Sequence, residues 1–112
     1  MSKRNIIQLS EFDITQKIIE SLSNVCTRSV LFSVKNESKD VMQIADELKI
    51  SISTVYKTLS TLEDLALAEI DRYVISPEGK KIKLYRSRIG KVEITLDDLE
   101  PILMLHPNDS KN

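Results

Sequence analysis

One change of rhythm constrains this chain more than any other feature. From Ile14 to Leu67 the apolar residues recur every three or four positions, the spacing of one face of a helix. From Ala68 onward they tend to alternate, the spacing of a strand buried on one side. The helical part comes first and is the longer. A chain written in that order packs helices around a core and adds hairpins, so the expected class is α+β, mainly α. At 112 residues it has the length of one domain with one core.

Within the helical part, EFDITQKIIESLSN sets Ile14, Ile18 and Leu22 at i, i+4 and i+8. The spacing predicts an amphipathic helix, with Asp13 as its N-cap and Gln16 as the capping-box partner. TRSVLFSVK predicts a second helix starting at Thr27, with Val30, Leu31 and Val34 facing inward. After the polar break NESKD, DVMQIADELKIS places Val41, Ile44, Ala45 and Leu48 on one face behind Asp40, a suitable N-cap. Ala45 is small, which lets another helix come close. A turn at Lys49, Ile50 and Ser51 leads into that helix, whose inward residues are Ile52, Val55, Leu59 and Leu62.

Beyond Leu67, AEIDRYVI reads as a strand and KKIKLYRSRI as its return, with Ile82 and Leu84 on one face. SPEG between them is a turn, because Pro77 fixes φ and Gly79 permits a positive φ. Gly90 marks a bend or bulge. The alternation of Val92, Ile94 and Leu96 continues as strand. DDLEPILML fits either a helix capped by Asp97 and Asp98 or a turn and strand. Pro101 would fall at the fourth or fifth position of such a helix and pushes Glu100 towards extended backbone, which favours strand, turn, strand. Residues 1–10 and 107–112 are expected to be flexible ends around a domain spanning 11–106.

The near-neutral total of −1 conceals where the charge lies. Residues 72–91 hold Arg72, Lys80, Lys81, Lys83, Arg86, Arg88 and Lys91 against a single acid, Glu78. The segments on either side are acidic. A basic stretch of this kind suits a polyanionic partner; lysines guarding the edge of a solvated strand pair are the plainer explanation. No apolar run is long enough to span a bilayer and no secretory signal opens the chain, so an intracellular, cytoplasmic protein is expected. A lone Cys26 rules out an internal disulfide and a four-cysteine zinc site, and reads as a small core residue. His106 stands alone in the tail. With no nucleophile and base brought together, no glycine-rich phosphate loop and no cofactor motif, neither an enzyme, a metal site nor a cofactor is expected.

The segment ISTVYKTLSTLED poses a different question. Ser and Thr are mediocre helix formers, yet they fill its outward side. On a helical wheel centred on Val55, the core residues cluster on one side. Ser53, Lys57 and Ser60 face away, with Thr54, Tyr56 and Thr61 on the flanks. Short hydroxyl side chains allow close approach to a DNA major groove and can donate to or accept from base edges and phosphates. Lys57 can reach a guanine edge or a phosphate, and Tyr56 can donate to a phosphate. Ser51 or Ser53 caps the helix start. An ordinary solvated helix face is the alternative.

QIADELKISISTVYKTLSTLEDLAL, followed by LYRSR on the returning strand, resembles the helix-turn-helix and wing of winged-helix transcription regulators. The likeness is greatest to the small archaeal ones related to the ArsR and MarR groups, and covers about residues 25–90. The resemblance implies a winged helix-turn-helix with an extra N-terminal helix and a C-terminal β extension. It implies double-stranded DNA as partner, transcriptional control, and dimers as the common state. The recognition-helix residues are then Ser51, Ser53, Thr54, Tyr56, Lys57, Ser60 and Thr61, and the wing residues Lys80 and Lys81. Arg28 is open between holding a phosphate and pairing with an acid. Such proteins usually have glycine after the recognition helix; here Ala66 stands there, so either the cap differs or the helix runs on. Paired metal-sensing cysteines are absent, and metal sensing is not carried over. The helix at 13–22 and the tail at 91–105 exceed a minimal winged helix. Packing them on a symmetry mate would give a homodimer with recognition helices about 34 Å apart on DNA; packing them on the chain's own core is the alternative. The rival function is a protein-interaction winged-helix module in a transcription or other nucleic-acid complex.

Overall fold

The computed structural model describes residues 3–109, with side chains described from residue 13 onward. It is α+β: four helices, α1 (Lys3–Ser23), α2 (Val25–Ser33), α3 (Val41–Leu48) and α4 (Ile52–Asp64), precede four strands, β1 (Ala68–Ile75), β2 (Lys81–Ser87), β3 (Ile89–Thr95) and β4 (Ile102–Pro107). The strands form two separate antiparallel pairs, β1–β2 and β3–β4. This layout is compatible with a winged helix.

The first helix begins ten residues before the expected cap. No glycine or proline interrupts residues 3–23, and each residue added to an existing helix gains a hydrogen bond without a new nucleation cost. Residues 3–10 of the segment expected as a flexible N-terminus lie within the bounds of α1, and residues 1–2 fall outside the described residues. Asp13 is not an N-cap but pairs along the helix with Lys17 at 3.3 Å, and Gln16 donates to Glu20 at 3.2 Å. Ile18 and Leu22 are buried while Ile14 is exposed. Among the described side chains, α1 joins the core through Ile18 and Leu22 in its C-terminal half, and it packs on α2.

The second helix also starts early. Asn24 is its N-cap, and its side chain accepts the Thr27 N–H at 3.0 Å. Arg28 settles on neither of its two expected partners: its guanidinium donates to the Leu22 and Ser23 carbonyls at 2.9 and 3.3 Å, closing the end of α1. A full capping box does occur, at α3: Asp40 accepts the Gln43 N–H at 2.8 Å, and the Gln43 side chain accepts the Asp40 N–H at 2.9 Å.

Val30, Leu31, Val34, Ile44, Val55, Leu59, Leu62 and Leu67 are buried almost completely, each contributing about 1.5–3 kcal/mol by removal from water. Ile52, expected in this core, is 41% exposed. The wheel gives the direction of a side chain but not how far the neighbouring helices reach along the axis, and Ile52 is the first residue of α4. Cys26 is half-buried rather than a core residue.

Ala66 resolves the end of α4. It adopts φ +59°, the left-handed conformation usually left to glycine. Its N–H donates to Glu63 at 2.9 Å and the Leu67 N–H donates to Leu62 at 2.8 Å. This is the complete Schellman pattern, closed without a glycine.

The turn joining β1 to β2 is tied by Ser76, whose N–H donates to the Lys80 carbonyl at 2.8 Å, with Gly79 at φ +83°. A bulge interrupts the register at Asp71. Lys39 and Tyr85 exchange backbone hydrogen bonds at 3.1 and 2.8 Å, so the loop before α3 flanks β2 on its free side. The tail is strand, turn, strand, as Pro101 requires. Gly90 lies at the register shift, where a Cβ would meet the Pro107 carbonyl at 3.0 Å. Asn108 donates from its side-chain amide to Lys35 and Ser87 carbonyls at 2.8 Å each, and from its backbone to Arg88 at 2.9 Å. Of the tail expected from 107, Pro107 ends β4 and Asn108 makes these bonds, while residues 110–112 fall outside the described residues.

Candidate nucleic-acid interface

The turn between α3 and α4 is three residues long, and Lys49 makes it possible by adopting φ +59°. The Ile50 N–H then reaches back to Ala45 at 3.1 Å. Ser51 caps α4: its Oγ accepts the Thr54 N–H at 3.1 Å and donates to Thr54 Oγ1 at 2.7 Å. The buried stripe of Val55, Leu59 and Leu62 then fixes which side of α4 faces out.

The outward hydroxyls are not equivalent. Ser51 and Thr54 are joined in the cap, and Ser53 Oγ lies 3.2 Å from Ser51 Oγ. Thr61 donates to the Lys57 carbonyl at 3.2 Å, the back-bonding typical of Thr in a helix. Ser53, Tyr56, Lys57, Ser60 and Thr61 are exposed, while Thr54 is half-buried. Among the described residues, the Lys57 and Ser60 side chains form no hydrogen bond or ion pair, so both remain available to a partner.

A cleft of about 270 Å³ separates the helices from the β1–β2 hairpin, and Tyr56 from α4 and Lys81 from β2 both line it. Ile82, Lys83, Tyr85, Val41 and Met42 also line it, with Asp40 at the N-terminus of α3. Neither Lys83 nor Met42 was expected here. Lys83 had a signal in the alternation of β2, which sets Lys81, Lys83 and Tyr85 on one face; Met42 had none, because its place depends on how α3 meets the strand. Lys81 carries its ammonium 4.3 Å from the Tyr73 ring centroid, a cation–π contact of about 0.5–1 kcal/mol at an exposed site. Burial lifts the Tyr85 phenol above its ordinary pKa, and the nearby Glu63 charge adds to this. Lys80 is exposed in the turn, its N–H donating to Ser76 Oγ at 3.0 Å.

Among the described residues no ion pair links the acidic turn Asp97, Asp98 and Glu100 to Lys80, Lys81 or Lys83. His106 lies on the other hairpin, with Nε2 2.7 Å from a Glu93 carboxylate oxygen. That hydrogen bond, with the Lys91 charge, holds the Glu93 carboxyl below its usual pKa. Among the described residues no three His, Cys, Asp or Glu side chains gather as metal ligands, and no helix is long and apolar enough to cross a membrane.

Two helices at a three-residue turn, the second offering hydroxyls and a lysine outward, define a helix-turn-helix protein. No protein-family model matches the chain. It is 32% identical over 93 residues to an uncharacterized HTH-type transcriptional regulator of Methanocaldococcus jannaschii, an alignment spanning 83% of this chain and 93% of that one. The chain belongs to the family of HTH-type transcriptional regulators, which that name sets apart from enzymes.

Proposed function

We propose that this protein is a sequence-specific regulator of transcription that binds double-stranded DNA as a winged helix-turn-helix of the ArsR/MarR-like kind, acting as a homodimer on the chromosome in the cytoplasm. The observation that carries this reading is the shared cleft, which Tyr56 of α4 and Lys81 of the β1–β2 hairpin both line. One duplex can therefore meet the helix in its major groove and the hairpin, as a wing, along its backbone or in the minor groove.

The work divides by chemistry. Ser53, Tyr56, Lys57 and Ser60 are exposed along α4 and supply contacts to base edges and phosphates. Ser51 and Thr54 hold the helix start, whose free N–H groups suit a phosphate. Thr61 adds to the flank. Lys57 is the single charge among these residues, so affinity comes largely from Lys80 and Lys81 of the wing, through release of counterions. The dimer uses the N-terminal helix, the C-terminal hairpin, or both.

The test is a gel shift on random and genomic fragments at low salt, followed by sequencing of the bound pool. An enriched motif is expected, with binding that weakens steeply as salt rises. No shift on either pool at about 50 mM salt would defeat the reading.

A further inference from the structure

The β3–β4 hairpin has two unlike faces. Its register pairs Val92 with Leu105 and Ile94 with Leu103, and directly paired residues of antiparallel strands share a face. That face, extended by Leu96, is apolar throughout. The other carries Lys91, Glu93 and Thr95 opposite His106, Met104 and Ile102. Val92 and Leu103 pack against the main core, but further out the cover ends: Ile94 is 42%, Leu105 37% and Leu96 73% exposed. The two strands pair only with each other, and a two-stranded hairpin alone in water is marginally stable.

We propose that this apolar face is a homotypic docking surface, covered by the same face of a second copy. The inference rests on the dimeric reading above and specifies where the two copies meet. Charge excludes DNA as the occupant, since the face has no cation and leads into Asp97, Asp98 and Glu100. An uncharged face is self-complementary, as a two-fold interface requires. Crossing the two hairpins head to tail sets their acidic turns at opposite ends, away from each other. Two such sheets would stack about 10 Å apart as a small four-stranded sandwich.

Size sets the strength. The seven residues of β3 span about 24 Å, and two strands are about 10 Å wide. The face is then roughly a third of the ~800 Å² per partner of a standard interface. Pairing in free solution is accordingly weak and reversible. It strengthens when one duplex holds both copies, because the second contact becomes intramolecular.

Sedimentation velocity on the full chain, from about 5 to about 500 µM, tests this at the concentrations where interfaces of this size associate. The wild type is expected to pass from monomer to dimer. Ile94→Lys and Leu96→Lys should each remain monomeric with unchanged far-UV circular dichroism. Met104→Lys, on the opposite face, should dimerise as the wild type does. A wild type that dimerises together with both β3 variants would overturn this interface and leave the dimer itself standing. A wild type that stays monomeric throughout would overturn interface and dimer together, while gel shifts on genomic fragments judge DNA binding independently.

Discussion

Ala66 shows how much one backbone angle can hold. A non-glycine residue in the left-handed region costs about 1–2 kcal/mol, and at Ala66 two hydrogen bonds that close α4 offset that cost. Ala66→Gly should remove the strain while adding unfolded-state entropy, for a net gain of up to about 1 kcal/mol in urea unfolding. Ser87 presents the opposite case. Its side chain is fully buried, donating to the Ile89 carbonyl at 2.7 Å and accepting the Ile89 N–H at 3.0 Å. Ser87→Ala strands both groups and should cost about 1–3 kcal/mol. Among the α4 hydroxyls, the bonds separate two roles. Ser51→Ala should cost about 0.5–2 kcal/mol of stability through removal of the cap. Lys57→Ala should leave stability nearly unchanged and reduce discrimination between the selected site and random DNA by about 1–3 kcal/mol.

At the scale of elements, α4 and the wing are expected to fail differently. Lys80→Ala with Lys81→Ala should weaken binding to all DNA alike. The slope of log affinity against log salt should become shallower by about 2, one unit for each phosphate that is no longer neutralised. The outer hairpin has its own pH dependence. Glu93 has a lowered folded pKa through the His106 hydrogen bond. Its contribution is therefore complete above the unfolded carboxylate value, near 4.5, and disappears as pH falls through the lower folded value. Protection of β3 and β4 amides, relative to the intrinsic exchange rate at each pH, should fall over that acid range, and Glu93→Gln should abolish the pH dependence. The elements themselves were largely legible in the sequence. Alternation indicated the first three strands and Pro101 favoured a fourth over a helix, since both signals are local. The helix starts were less legible. Asp13–Gln16 and Asp40–Gln43 look alike as caps, but only the second follows a break in the chain, and a cap inside a continuous helix has no free N–H to satisfy. The cleft was half legible: wheel and alternation give Tyr56 and Lys81 their sides, while Met42 enters through tertiary packing that no local pattern encodes.

At the scale of the whole molecule the radius of gyration is 16.2 Å, against about 13 Å for a compact chain near this length. The molecule extends 56 Å along one axis and 27 Å along the others. Ile14 on α1 and Ile94 and Leu96 on the outer hairpin stand exposed in such a shape, so the proposed dimer belongs to this scale. It also concerns the joint between the sheets. Arg88 is the only residue between β2 and β3, its N–H donates to Leu67 at 2.9 Å, and the Ser87 hydroxyl locks the residues on either side. The two hairpins are thus joined through one tied residue, and a wing seated on DNA would set the bearing of the outer hairpin. Paired copies would then measure the distance between half-sites like a rigid caliper. Each base pair inserted between half-sites turns one copy by about 34° relative to the other. Cooperative binding should thus collapse after one or two insertions and return near a full turn of about 10 base pairs.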